Sequence, residues 1–257
     1  MNPTRQEIPA LHDALFPPRV CSAMQNMVHL ATMIYRYIHR GFLRPGADIA
    51  SGISVLTGHW AQALENETLL AASLFRWHHN LFMYYESADT GLLPEKVALP
   101  LAEVLLDYPV EKGRLWAQMV DVFHYTHPRD QEHWLRQNKS VAATARVNRL
   151  KPSMYASYVS HHYQLQEECP GLGDKYGIIG AHENLLFFYQ EEPKTVESVQ
   201  QPGTLSTRNS PREDWQQIMT DHFQPWDDDG DAWRPIETLL QAFPGTGAIE
   251  TGLKQEA

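Results

Sequence analysis

A repeated pair of apolar runs constrains this chain more than any other feature of its sequence. Residues 73–86 read SLFRWHHNLFMYYE, and residues 177–190 read GIIGAHENLLFFYQ. Each copy has an apolar run, a short polar break and a second apolar run rich in aromatics, which predicts a β-hairpin. Asn80 and Asn184 fall at the break, where Asn tolerates the left-handed backbone of a short turn. A repeated hairpin indicates a repeated domain.

The segments around the two hairpins repeat as well. Leu43-Arg44-Pro45 and Leu150-Lys151-Pro152 each close a β-like run and precede a stretch with helical apolar spacing. After the hairpins, residues 116–123 and 215–223 echo each other, and we expect both to be helical. A final strand is predicted over residues 233–243.

The resulting order of strands and helices is that of the ferredoxin-like unit. We therefore predict an α+β fold in which a tandem duplication of ferredoxin-like domains forms an intramolecular pseudo-dimeric α+β barrel. The expected boundaries are an N-terminal extension over 1–29, a first repeat over 30–127 and a linker over 128–140. A second repeat follows over 141–245, and a flexible tail over 246–257.

Composition excludes several classes of function. The chain of 257 residues has a net charge of −10, which argues against a nucleic-acid partner because phosphate binding needs clustered Lys and Arg. No signal pattern or membrane-length apolar run is present, so we expect a cytoplasmic protein with no membrane partner. Cys21 and Cys169 form no zinc motif, and no metal-ligand spacing or nucleotide-binding motif occurs. We expect no metal and no cofactor.

A dense group of Tyr and His side chains lies in the second half. Tyr158 and His162 are four residues apart and share one face of a predicted helix, with His161 one step round. Imidazole titrates near neutral pH, and a tyrosine hydroxyl can hold or relay a proton. The pair therefore predicts acid–base chemistry. If this helix face pointed away from the cleft, the two side chains would be ordinary surface residues.

The first half offers a weaker set of candidates. Arg76 and His78 share one strand face in the first hairpin and could line a pocket for an oxygen-rich aromatic ligand. They could equally cap the hairpin in solvent. His59 lies beside the apolar stripe of the preceding helix, where a boundary histidine is the plainer interpretation.

Two stretches resemble the tetracenomycin-type aromatic polyketide cyclases, which belong to the dimeric α+β barrel superfamily. One is LFRWHHNLFMYYESAD over residues 74–89, and the other is PWDDDGDAWRPIE over residues 225–237. Single-domain members of that family pair as dimers, so this chain resembles two units fused. Tyr84 stands where those cyclases often have a histidine.

The second half also resembles the L-rhamnose mutarotases. Its matching stretches are L-K-P-x5-Y-x3-H from Leu150 to His162, YGII from Tyr176, NLLF from Asn184 and W-x3-M-T-D from Trp215. The resemblance implies that Tyr158 and His162 do acid–base work. The first half has Ser51 and Val55 at these positions and would lack the pair.

The aromatic content favours a polyketide cyclase over a sugar isomerase, because a sugar site needs more carboxylates and amides. A cofactor-free monooxygenase and a non-catalytic binding protein on the same barrel stay open. Expected partners are a small-molecule substrate (a polyketide or sugar), an acyl carrier protein and a second copy of the chain. The predicted catalytic residues are His162, Tyr158, Arg76 and His78. The predicted substrate-binding residues are His59, Tyr84, His161, Tyr176, His182 and Trp215.

Overall fold

The structure is a computed structural model that describes residues 33–108, 111–139, 141–197, 203, 214–228 and 230–250. The expected N-terminal extension over 1–29 and the last residues of the expected tail lie outside these ranges. Within the described residues, no helix is both long and apolar enough to cross a membrane.

The first half follows the predicted order up to its last element. Its strands and helices are β1 (Tyr35–Phe42), α1 (Ala50–Glu65), β2 (Ala71–Trp77), β3 (Asn80–Ser87), α2 (Pro94–Val97), a 3₁₀ helix (Leu99–Val104) and β4 (Trp116–Gln118). Two further elements, β5 (Val120–His124) and α3 (Gln131–Trp134), lead into the second half.

The second half repeats this order. Its elements are β6 (Ala142–Arg149), a 3₁₀ helix (Pro152–Met154), α4 (Tyr155–Glu168), β7 (Ile178–His182), β8 (Leu185–Glu192), α5 (Trp215–Thr220), β9 (Arg234–Pro235), β10 (Glu237–Phe243) and β11 (Gly247–Glu250). The strands form two antiparallel sheets, ordered β11-β10-β2-β3-β1-β4 and β5-β7-β8-β6-β9. The predicted α+β class with two ferredoxin-like sheets is confirmed.

Each half sends its last strand into the other half's sheet. β4 pairs with β1 of the first sheet, and after Met119 the chain continues as β5 beside β7 of the second sheet. In the same way β9 pairs with β6, and β10 then pairs with β2 of the first sheet. The two repeats are therefore joined by a reciprocal exchange of strands, and neither sheet is complete without the other half.

An apolar core lies between the two sheets because successive strand residues point to opposite faces. Phe75 and Phe82 of the first sheet meet Phe187 of the second, and the rings of Phe82 and Phe187 stack with centroids 4.9 Å apart. The outer faces carry the helices. Leu56 and Trp60 of α1 are fully buried in the core on the first sheet, and α4 covers the second sheet.

The hairpins form where the repeat predicts them, but their turns are placed differently. The residues with positive φ are His78 (φ 53°) and Glu183 (φ 56°), whereas Asn80 begins β3. The two Asn residues are consequently not equivalent. Tyr84 occupies the position of Tyr189, so matching Asn80 with Asn184 misaligns the two hairpins by one residue.

The prediction of a helix around residues 116–123 is wrong. Leu115, Met119, Val122 and Phe123 fit a helical spacing, yet the segment forms β4 and β5. Short apolar runs fit either periodicity, and here two open sheet edges supply backbone partners that favour strands. The equivalence with residues 215–223, which contain α5, therefore fails as well.

The C-terminal tail also differs from the expectation. Gly247–Glu250 pair with Leu240–Phe243 and extend the first sheet by one strand, β11. Gly245 and Gly247 adopt positive φ values (84° and 74°), which permits the tight turn between β10 and β11. The flexible tail expected from residue 246 therefore does not hold for residues 247–250.

Candidate active site

A cavity of about 250 Å³ lies between the second sheet and its helices. Its sheet side is formed by Phe123, Arg146, Ile179 and Phe188, one from each of β5, β6, β7 and β8. The helices contribute the side chains of α4 and α5, and the segment before β9 adds Ala232 and Trp233. Tyr158, His162 and Trp215, all predicted from the sequence as site residues, line this cavity together.

The buried residues of α4 recur at helical spacing and include both Tyr158 and His162. Tyr158, His162 and Leu165 are its buried residues, so these side chains face the sheet rather than solvent. The rings of Tyr158 and His162 lie with centroids 4.0 Å apart. The helix face that the functional interpretation requires is therefore the one that points into the cleft.

His162 is held in one orientation and one tautomer. Its Nδ1 lies 2.9 Å from the carbonyl oxygen of Tyr158, and because a carbonyl can only accept, Nδ1 carries the proton and donates it. Nε2 is then the basic nitrogen. The ring is also packed edge-on against Trp215 and Phe123, with centroids 4.9 and 5.1 Å away.

Burial sets the protonation states of both residues. Desolvation lowers the pKa of His162 to about 4, so its imidazole is neutral at physiological pH and Nε2 is unprotonated. Desolvation also raises the pKa of Tyr158 above its ordinary value, so its hydroxyl keeps its proton. The arrangement thus places a neutral base beside a hydrogen-bond donor.

The Tyr158 hydroxyl has no hydrogen-bond partner among the described residues, although the side chain is only 1% exposed. Buried polar groups are nearly always paired, and leaving one unpaired costs about 1–3 kcal/mol. A buried donor without a protein partner at the wall of a cavity is the arrangement expected of a group that binds a ligand oxygen.

The cavity wall is aromatic and carries no carboxylate among the described residues. Phe123, Tyr125, Phe188, Trp215, Phe223 and Trp233 contribute rings. Arg146 is the one cation in this described lining, and sequence reasoning missed it. The sequence signal was the alternation within β6, where Arg146 lies between Ala145 and Val147, two apolar residues that face the core between the sheets.

The first half holds no equivalent pair. Ser51 and Val55 are exposed, and the inward positions of α1 are occupied by Gly52 and Leu56. Leu101 fills the space beside Gly52, where an added Cβ would lie 2.8 Å from Leu101 Cδ2. The expectation that the first half lacks the Tyr–His pair holds, with a shift of one residue in register.

Three other predicted site residues lie at hairpin tips, away from this cavity. Arg76 donates from Nε to the carbonyl oxygen of exposed His78, 3.0 Å away, and neither side chain is in the cavity lining. His182 lies at the tip of the second hairpin, where its Nδ1 is 3.3 Å from Arg40 Nη1. The structure therefore does not bring Arg76, His78 or His182 together with His162.

The two remaining predicted histidines, His59 and His161, are half-buried on α1 and α4. His59 is on the exposed side of α1, with Nε2 2.9 Å from the carbonyl oxygen of Lys96. His161 packs edge-on against His222, with ring centroids 5.6 Å apart. Neither belongs to the lining that contains Tyr158.

Tyr84 and Tyr176 belong to a buried polar network at the centre of the molecule. Tyr84 donates to Glu86 and Tyr189 donates to Glu191. Both glutamates accept hydrogen bonds from Arg136, which lies in the segment after α3. The hydroxyl of Tyr176 donates to the carbonyl oxygen of Leu135 at 3.1 Å, and its ring lies under the Arg136 guanidinium.

Sequence reasoning missed this network. The two Tyr-x-Glu triplets, Tyr84–Glu86 and Tyr189–Glu191, were the available signal. Matching Asn80 with Asn184 conceals this repeat, because it shifts one triplet by one residue relative to the other. Among the described residues, no group of three or more His, Cys, Asp or Glu side chains is arranged to hold a metal ion.

No family model and no curated protein matches the chain. Solved structures similar to it include a "putative monooxygenase" from Fusobacterium nucleatum (11% identity, TM-score 0.41, 86% of this chain and 98% of the other). Another, also titled a "putative monooxygenase", comes from Lactobacillus acidophilus NCFM (8% identity, TM-score 0.43, covering 86% and 100%). A third is an anthrone oxidase-like protein (9% identity, TM-score 0.30, covering 86% and 97%). Similarity at this level carries no information about activity.

Proposed function

We propose that the cavity of the second half is the active site of a cofactor-independent acid–base enzyme, and that its reaction is the aldol cyclisation of a poly-β-ketone. The observation that carries the proposal is the geometry of His162 and Tyr158. A neutral imidazole with a fixed basic nitrogen and an unpaired buried hydroxyl line the same cavity. The imidazole can remove a proton from carbon as a general base, and the hydroxyl can stabilise the enolate oxygen that forms.

The first step is removal of a proton from the carbon between two carbonyl groups. Nε2 of His162 takes this proton, and the negative charge moves to a carbonyl oxygen. The Tyr158 hydroxyl donates a hydrogen bond to that oxygen. A donor in a water-poor site stabilises developing charge more strongly than it would in water.

The enolate carbon then attacks a distant carbonyl carbon of the same chain and closes a six-membered ring. The new alkoxide takes up the proton held by His162. Loss of one water molecule and enolisation of the remaining carbonyls give an aromatic ring, and no oxidant is consumed. The aromatic walls contribute by holding the flexible chain in its folded conformer.

The lining favours an aromatic or enolic substrate over a sugar. A sugar site needs carboxylates and amides directed at several hydroxyls, and the described lining has one amide, Gln216, and no carboxylate. The volume of about 250 Å³ lies just below the roughly 300–1,000 Å³ common for ligand pockets, so it suits one or two rings. The rest of a longer chain would extend out of the cleft, where an acyl carrier protein could hold it.

The proposal can be tested with a phenyl-capped linear tetraketone. Incubation with the protein should give the ring-closed dihydroxy-methylbenzophenone faster than buffer alone, at equal rates with and without oxygen. H162Q should remove the acceleration, and the exposed hairpin variant H79Q should keep it. An oxygenated product formed only in air would instead support a cofactor-free monooxygenase, which shares the proton-removal step. No acceleration under either condition would contradict the proposal.

A further inference from the structure

A second cavity, of about 290 Å³, lies on the helix-facing side of the first sheet. Its wall includes Tyr37 and His39 from β1, Tyr85 from β3, and Trp116 and Gln118 from β4, and the start of α2 closes one side. None of these residues was singled out by the sequence as functional. The cavity is separate from the Tyr158–His162 site, which lies on the helix-facing side of the other sheet.

Two buried polar atoms in this wall have no hydrogen-bond partner among the described residues. They are Nε1 of Trp116, whose side chain is 2% exposed, and Nδ1 of His39, whose side chain is 5% exposed. Indole N–H can only donate. Since unpaired buried polar atoms are rare in native proteins, two of them in one cavity wall indicate that a ligand supplies the partners.

The packing of Trp116 fixes the direction of its donor. The opposing glycine, Gly41, leaves room for the indole: a Cβ there would lie 2.9 Å from Trp116 Cζ3 and 3.0 Å from Cε3. The benzo edge of the ring therefore lies over β1. Nε1 is on the opposite edge, away from Gly41.

Three aromatic rings define the shape of the site. Tyr37, His39 and Tyr85 lie in nearly parallel planes, with interplanar angles of 21° for Tyr37–Tyr85 and 11° for His39–Tyr85. The hydroxyl of Tyr85 is bound to the carbonyl oxygen of Leu92, and that of Tyr37 to the carbonyl oxygen of Asp89. The partly exposed Tyr37 ring thus presents flat apolar surface, which suits a planar ligand, and the fully buried Tyr85 ring supports it by stacking at 4.8 Å.

Charged groups of both signs border the cavity: the cation Arg114, its partner Glu111 and the acid Glu95. Arg114 lies in the wall, anchored through Nε to the carbonyl oxygen of Trp116, 3.1 Å away, and through Nη1 to Glu111. Burial and Arg114 lower the pKa of His39 to about 4, so its ring is neutral and its unprotonated nitrogen can accept a hydrogen bond from a hydroxyl group. Glu95 is the acidic group in the described wall, and it belongs to α2.

We propose that this cavity is a second ligand site, specific for a small planar aromatic compound with a carboxylate or carbonyl group next to a ring hydroxyl. The acceptor group binds Trp116 Nε1–H and is attracted by Arg114. The hydroxyl binds His39, and the ring packs against the Tyr37 ring. The site does not depend on the reaction proposed for the second half.

Salicylate and salicylamide are matched probes, because they share a shape and differ in charge. Their binding can be followed on protein carrying ¹⁵N-labelled tryptophan, in which each indole N–H gives its own NMR signal. Salicylate should shift the Trp116 signal, assigned from the spectrum of W116F, while Trp215 and Trp233 report on the other cavity. H162Q should bind salicylate with unchanged affinity.

R114Q, a change at the partly exposed rim, tests the role of charge without disturbing the core. It should weaken salicylate binding by up to about fivefold, as for loss of one partly exposed ion pair, and leave salicylamide binding unchanged. If W116F does not fold, sequential backbone and side-chain assignment of Trp116 replaces it. The proposal is overturned if saturating salicylate leaves the Trp116 signal in place, if R114Q weakens both probes equally, or if H162Q abolishes binding.

Discussion

Glu86 and Glu191, which occupy equivalent positions in the two halves, share one guanidinium, that of Arg136. Nη2 of Arg136 lies 2.9 Å from Glu86 Oε1 and 2.6 Å from Glu191 Oε1. Burial would raise the pKa of Glu86, but Arg136, with the hydrogen bond from Tyr84, holds it below its ordinary value. Burial raises the pKa of Glu191, and Arg136 only partly offsets this. The segment joining the repeats thus binds both of them at the centre of the molecule.

Replacing Arg136 should therefore destabilise the whole molecule. R136M leaves two buried carboxylates without their cation, and losing one partner of a buried ion pair costs about 3–5 kcal/mol. Urea unfolding at neutral pH should show this loss. R129Q is the matched control, because Arg129 is exposed and 4.0 Å from Glu197, so its pair should contribute at most about 1 kcal/mol.

The difference between R136M and wild type should shrink as the pH falls. The low pKa of the Glu86 carboxyl stabilises the folded wild type, and this stabilisation is lost as the pH falls through that pKa. R136M lacks this stabilisation at every pH. Equal stability of R136M and R129Q at neutral pH would show that the network does not join the halves.

Y158F separates a functional from a structural role for Tyr158. The hydroxyl has no partner among the described residues, so removing it should leave the free energy of unfolding unchanged or raise it by up to about 1 kcal/mol. The turnover number should nevertheless fall at least about tenfold, with KM nearly unchanged, because the donor acts on the developing enolate. Y163F, on the exposed face of the same helix, should change neither quantity. A loss of stability without a loss of turnover would make Tyr158 a structural residue.

The depressed pKa of His162 predicts a specific pH dependence of stability. The folded-state pKa is about 4 and the unfolded value about 6.5, so the unfolded chain binds more protons between these values. Stability should accordingly fall by about 1.4 kcal/mol per pH unit for this residue as the pH drops through that window. Urea unfolding of wild type and H162Q between about pH 7 and pH 5 measures it.

The stability of H162Q should change less steeply with pH than that of the wild type. Part of the pH dependence should remain, because the pKa of His39 is also lowered to about 4. Identical slopes for the two proteins would mean that His162 is not held neutral by burial.

The exchange of strands predicts that the halves do not fold alone. A fragment ending at residue 139 lacks β10, which pairs with β2, and a fragment starting at residue 140 lacks β5, which pairs with β7. Each fragment would also expose its share of the core between the sheets. Neither should unfold cooperatively by circular dichroism, whereas an equimolar mixture should. Cooperative unfolding of either fragment alone would refute this.

The hairpin repeat was sufficient to predict the fold class because the alternation of apolar runs and turns is a local pattern, and it occurs twice in the chain. Tyr158 and His162 could be placed on one helix face for the same reason, since helical spacing is local. The strands β4 and β5 could not be predicted, because their state is decided by distant partners on β1 and β7. The sequence places Arg76 and His182 near hairpin tips, but whether these tips reach the cavity depends on how the sheets and helices pack, and no local pattern contains that information.

The most direct test of the central claim, that His162 is a base acting with Tyr158, is hydrogen–deuterium exchange at carbon. β-Tetralone, a two-ring enolisable ketone, exchanges its benzylic protons slowly in heavy water, and NMR follows the rate. Wild-type protein should accelerate the exchange, Y158F should do so less, and H162Q should lose at least about a hundredfold of the acceleration. H79Q should behave as wild type. Acceleration by H162Q equal to that of the wild type would contradict the account.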